Sequence, residues 1–137
     1  GHWATMHEGA PATLAQAMQV LVFCMRPPTR FGLAVKALLR IEAIVAQGVV
    51  SEPGVDWLEG LEALCTLLQA NATQPAIQEC GLRVTIRVAA TDPVLRSKLV
   101  ELGWTRVAST ASNQHAGTSV ATVAGWLLSL VGGEDPL

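Results

Sequence analysis

Apolar residues recur along this chain at three- and four-residue steps, and no stretch shows the strict alternation of a half-buried strand. Leu14, Ala17, Met18, Leu21 and Met25 form one such stripe, opened by Pro11-Ala12-Thr13 and stopped by Pro27-Pro28, which cannot continue a helical hydrogen-bond ladder. The next segment, from Phe31, is apolar nearly all round apart from Lys36, Arg40 and Glu42. It reads as a longer helix ending at Gly48 and buried on most sides.

A connection broken at Pro53-Gly54 follows, then a helix capped by Asp56 that closes near Ala70-Asn71. Pro75 opens a long helix running to about Ala90. Asp92-Pro93 starts a short one, and Gly103 turns the chain into a helix rich in Ser and Thr. Gly117-Thr118 leads to a last, strongly apolar helix that Gly132-Gly133 ends. The expected class is all-α, with an irregular segment over 1–10, a single helical domain over 11–132 and a tail over 133–137.

Sliding the sequence on itself by 43 residues keeps the pattern in register. Arg40, Arg83 and Trp126 fall in one column, Ile41, Val84 and Leu127 in the next, and Val45, Val88 and Val131 in another. Ala34, Ile77 and Val120 also align. One helix earlier, so do the small residues Ala17, Gly60 and Gly103, and Leu21, Leu64 and Val107. A period in the range of about 40–47 residues belongs to two- or three-helix stacked repeats. Such repeats bury their apolar sides against one another. In that register Ser51–Leu58 stands where a short first helix is expected and is degenerate.

The stretch Ile77-Gln78-Glu79-Cys80-Gly81-Leu82, followed by Asp92-Pro93 and Leu99-Val100-Glu101-Leu102-Gly103, resembles an armadillo repeat. So does Ala124-Gly125-Trp126-Leu127-Leu128-Ser129, which is similar to the third helix of that repeat. The resemblance spans about residues 12–132 and is strongest from 58 to 131, with HEAT-like repeats as the near neighbour. It implies a right-handed superhelical α-solenoid of about three repeats that binds an extended peptide along its long third helices. In the nuclear-import members a Trp, and an Asn four residues later, clamp a basic peptide. Here the Trp column is Arg40, Arg83 and Trp126, and the Asn column is Ile44, Arg87 and Leu130. That departure counts against a basic nuclear-localisation peptide as ligand.

Arg83 and Arg87, four apart on one helix, share a face. With Arg40 one repeat back and Trp126 one repeat on, they are the candidate partner-binding residues for a peptide or helix, an acidic or phosphorylated one suiting the arginines. The plainer alternative leaves these side chains solvated or paired with Glu42, Glu79 or Glu62. A second function reading uses the apolar last helix, through Trp126, Leu127 and Leu130, to dock a second copy or a neighbouring domain. Trp57 and Trp104, each beside a helix start, are expected to staple neighbouring repeats.

Composition narrows the chemistry. The chain has 137 residues, half of them hydrophobic, and a formal charge of −2, which argues against a broad footprint on nucleic acid or an anionic membrane. Cys24, Cys65 and Cys80 have neither CxxC nor metal spacing and read as buried thiols of a reducing, intracellular compartment, cytoplasmic or nuclear. No apolar run has membrane-spanning length, and the first residues do not form a signal peptide. His2, His7 and His115 are far apart in sequence, which makes a metal site improbable. No phosphate loop or nucleophile motif appears, so a non-catalytic protein without cofactor is expected.

Overall fold

The structure is a computed structural model, and residues 13–132 are described. Expectations for residues 1–10 and 133–137, with His2, His7 and the helix-opening Pro11, lie outside them. Among the described residues the chain is all-α: α1 Leu14–Cys24, α2 Phe31–Ala46, α3 Trp57–Ala70, α4 Pro75–Thr91, α5 Pro93–Leu102, α6 Trp104–Gln114 and α7 Ser119–Gly132.

The boundaries follow local chemistry. Thr13 begins α1 with a capping box: its hydroxyl accepts from the Gln16 N–H, and the Gln16 side chain accepts from the Thr13 N–H. Asp56 Oδ1 accepts from the Glu59 N–H at the start of α3. Pro75 occupies the first turn of α4, where a missing N–H costs nothing. Asp92 ends α4 through its backbone N–H, which donates to the Ala89 carbonyl, and starts α5 through Oδ1, which takes the N–H groups of Val94 and Leu95. Gly103, at φ +94°, makes the turn between α5 and α6 that an L side chain would resist.

The helices pack in two layers. In one, α4 touches α2 on one side and α7 on the other. In the second, α3 touches α1 and α6, while α5 contacts α3, α4, α6 and α7. One continuous core, from Leu14 to Leu127, joins both layers. Each fully buried leucine in it, such as Leu38, Leu61 or Leu82, contributes roughly 1.5–3 kcal/mol.

Two contacts join points 42 and 43 residues apart in the chain. The Cys80 thiol lies 4.0 Å from the Leu38 carbonyl, and His115 Nε2 lies 2.8 Å from the Ala72 carbonyl oxygen. Gly60 permits α3 to approach α1, because a Cβ there would collide with the Met18 sulfur. At Gly81 a Cβ would come within 2.5 Å of Leu68 Cδ1, so that side chain would have to shift.

One expectation for α2 is corrected. Phe31, Leu33 and Leu39 are exposed, the last at 55 %, so the helix is not buried on most sides. The physical reason is position: α2 has a single long-helix neighbour, α4, whereas α4 has two. Gln78 and Thr85 are the polar consequence of that deeper burial of α4. Gln78 Nε2 donates to the carbonyls of Leu68 and Asn71 at 2.8 and 2.9 Å, satisfying the end of α3, and Thr85 donates to Gly81.

Candidate functional site

The long helices α2, α4 and α7 carry the expected binding residues at matching positions. Ile41, Val84 and Leu127 point into the core, and the residue before each one is turned about 100° away toward solvent. Those residues are Arg40, Arg83 and Trp126. Arg40 and Arg87 are exposed, Arg83 is half-buried, and Trp126 is 53 % exposed. An indole that open to water is an unusual use of a large apolar side chain in the middle of a helix.

The arginines are not equivalent. Arg83 Nη2 and Nε donate to Glu79 Oε2 at 2.8 and 3.0 Å, one helical turn back. Of the three pairings expected for the basic strip, the one through Glu79 is therefore present. Glu79 Oε1 in turn accepts from the Ser119 hydroxyl at 2.6 Å, which ties α4 to the first residue of α7. The Ser119 hydrogen bond, then the Arg83 hydrogen bond, hold the Glu79 carboxyl below its ordinary range, against a small opposing effect of burial. Arg83 consequently presents a guanidinium whose charge is partly answered, while Arg87 carries an exposed charge one turn further along α4.

The docking residues of the second reading separate. Leu127 is fully buried and belongs to the core, so it is not available to a docking partner; Trp126 remains exposed and Leu130 is half-buried. The reason is phase: Val120, Val123, Ala124 and Leu127 form the packed stripe of α7, and Trp126 falls outside it. The two tryptophans expected as staples differ as well. Trp104 is wholly buried, its Nε1 without a hydrogen-bond partner among the described residues. Trp57 is half-buried and donates through Nε1 to the Val50 carbonyl at 2.7 Å, anchoring the connection before α3.

The thiols are buried. Burial, with nearby carboxylates adding to it, pushes Cys65 up to about 11 and Cys80 up to about 12, so neither is a thiolate at neutral pH. Among the described residues no group of three or more His, Cys, Asp or Glu is placed to hold a metal ion, and no helix is long and apolar enough to cross a membrane.

Clefts open away from the arginine–tryptophan face. One of about 530 Å³ lies between the α2–α3 connection and the corner where α4 meets α5, with Val50, Trp57, Val88 and Leu95 in its lining and Asp56 and Asp92 beside them. Another, of about 320 Å³, sits between α3, α4 and α6 and includes Gln78 and Arg106. Neither includes Arg40, Arg83, Arg87 or Trp126.

Sequence reasoning missed Glu52. From the middle of a connection its two carboxylate oxygens accept from the N–H groups of Leu14 and Ala15 at 3.3 and 3.1 Å, in the first turn of α1. Nothing local marks that role, since the target is 37 and 38 residues away. Ser119, whose partner Glu79 is 40 residues away, was missed for the same reason, and so was the turn back of Gln78 onto the end of α3.

No protein-family model matches the chain, and neither curated proteins nor solved structures give a match.

Proposed function

We propose that this chain is a non-catalytic interaction scaffold, an armadillo-like α-solenoid that receives a peptide or helix of a partner protein on the outer face of α2, α4 and α7. One observation carries the reading: Arg40, Arg83 and Trp126 reach solvent at equivalent positions of three long helices packed side by side. Contacts one period apart, such as Leu38 with Cys80 and Ala72 with His115, support the repeat reading. A flat row of arginines beside an exposed indole suits an acidic or phosphorylated segment, with the guanidinium groups gripping its oxygens and the ring covering an apolar side chain.

The test is an array of acidic and phosphorylated peptides probed with the wild-type chain and with Arg83→Glu/Arg87→Glu. The variant should lose the bound set while its helical circular dichroism is unchanged. Binding of the same peptides by both proteins would remove the assignment to this face. Dimers by light scattering that Trp126→Asp turns into monomers would favour the second reading, docking through Trp126 and Leu130.

A further inference from the structure

The cleft of about 530 Å³ between the α2–α3 connection and the α4–α5 corner is built unlike the arginine–tryptophan face. One wall is Val88 and Leu95, both buried, and the other is the connection, with half-buried Val50, together with the first residues of α3, half-buried Trp57 and exposed Leu58. It exists because a connection without a helix is thin. A helix with its side chains is about 10 Å across, whereas a single extended chain fills about half of that. The remaining width is open to solvent.

The charges at this cleft have one sign. Asp56 and Asp92 belong to its lining, and no Lys, Arg or His does. Each aspartate uses Oδ1 on backbone N–H groups, those of Glu59 for Asp56 and of Val94 and Leu95 for Asp92. The N–H dipoles offset part of the charge and also fix both carboxylates in place. An apolar side chain flanked by a cation therefore meets complementary surface on two counts: hydrophobic wall and fixed anion.

We propose that this cleft docks a short basic–apolar segment of another protein, a Leu-like residue between Lys or Arg residues. The chain's own undescribed ends do not supply it, because residues 1–12 and 133–137 contain no Lys or Arg. The site is separate from the arginine-lined face and takes the opposite charge.

The Trp57 indole N–H, held on Val50 in the cleft lining, is a built-in reporter. Titration with the end-blocked peptide Gly-Arg-Leu-Arg-Gly should move the Trp57 indole resonance saturably and leave the Trp126 indole in place. Higher salt should weaken binding. Asp56→Asn/Asp92→Asn removes both charges yet keeps good capping side chains, so the fold is retained. It should weaken binding roughly tenfold. The proposal is overturned by no movement at Trp57, by equal binding of Gly-Glu-Leu-Glu-Gly, or by undiminished binding to the double Asn variant. It is overturned equally if the Trp57 resonance moves with protein concentration alone, which would make a second copy the occupant.

Discussion

The two links that follow the long helices α2 and α4 solve one problem differently. From α4 to α6 the chain folds α5, ten residues long, between Asp92 and Gly103. From α2 to α3, in the same register, it makes an irregular connection containing Gly48 and Gly54, both at positive φ, and Pro53. The first link holds itself in place by a cap at one end, a left-handed glycine at the other, and the buried side chains Leu95 and Leu99 between. The second lacks an internal ladder and is held by what it reaches: Glu52 on the first turn of α1, and the Val50 carbonyl on the Trp57 indole N–H. A helical link carries its stability in apolar burial; an irregular link must find it in a few polar contacts to other elements. The contrast also explains why a cleft opens beside the second link.

The largest effect should come from emptying the helical link's anchor. Leu99 is fully buried, and Leu99→Ala should cost about 2–5 kcal/mol in urea unfolding. Val55→Ala in the other link removes a half-buried side chain and should cost well under half as much. Equal losses would contradict the division of labour just drawn. Glu52→Ala comes next, at about 2 kcal/mol, because two N–H groups at a positive helix end lose a charged acceptor. Its signature should be local: hydrogen exchange of the Leu14 and Ala15 amides should accelerate more than that of core α4. Asp92→Ala should cost about 1 kcal/mol, the usual value of a cap, since Leu95 and Leu99 still hold α5 down.

The same contrast decides what was legible in the sequence. Caps, stops and turns were readable, because Asp56, Pro75, Asp92 and Gly103 act on residues within a few positions of themselves. The Arg83–Glu79 pair was among the expected ones because four-residue spacing on a helix brings side chains together. What Glu52, Gln78 and Ser119 do was hidden, since each acts on a partner that only packing brings near. Leu127 marks a third kind of outcome. Apolar content alone suggested a docking face, but helical phase puts Val120, Val123, Ala124 and Leu127 in the core and leaves Trp126 outside. On the candidate face, residue positions were therefore readable and their ionic partners only partly so.

A last comparison sets Glu52 against Glu79, two carboxylates that each reach the start of a distant helix. Glu52 accepts from backbone N–H groups of α1; Glu79 accepts from the Ser119 hydroxyl of α7 and from Arg83 on its own helix. Both partners of Glu79 favour its ionised form, so its folded pKa lies below the ordinary value of 4.5. A carboxylate with a depressed folded pKa adds stability that is complete above its unfolded value and disappears as the pH falls through the folded one. The effect should be small, because Arg83 and Glu79 are both partly exposed and solvent screens the pair. Comparing urea midpoints of the wild type and Glu79→Gln at pH 7 and then downward from pH 4.5 isolates it. The wild type should be the more stable at pH 7, and the gap should narrow below pH 4.5, as Glu79 takes up its proton and becomes nearly isosteric with Gln. Raised salt at pH 7 should narrow the gap only in part, since the Ser119 hydrogen bond does not depend on opposite charge. A gap that widened in acid would mean that the carboxylate is not held ionised by Ser119 and Arg83, and the tie between α4 and α7 would have to rest on apolar packing alone.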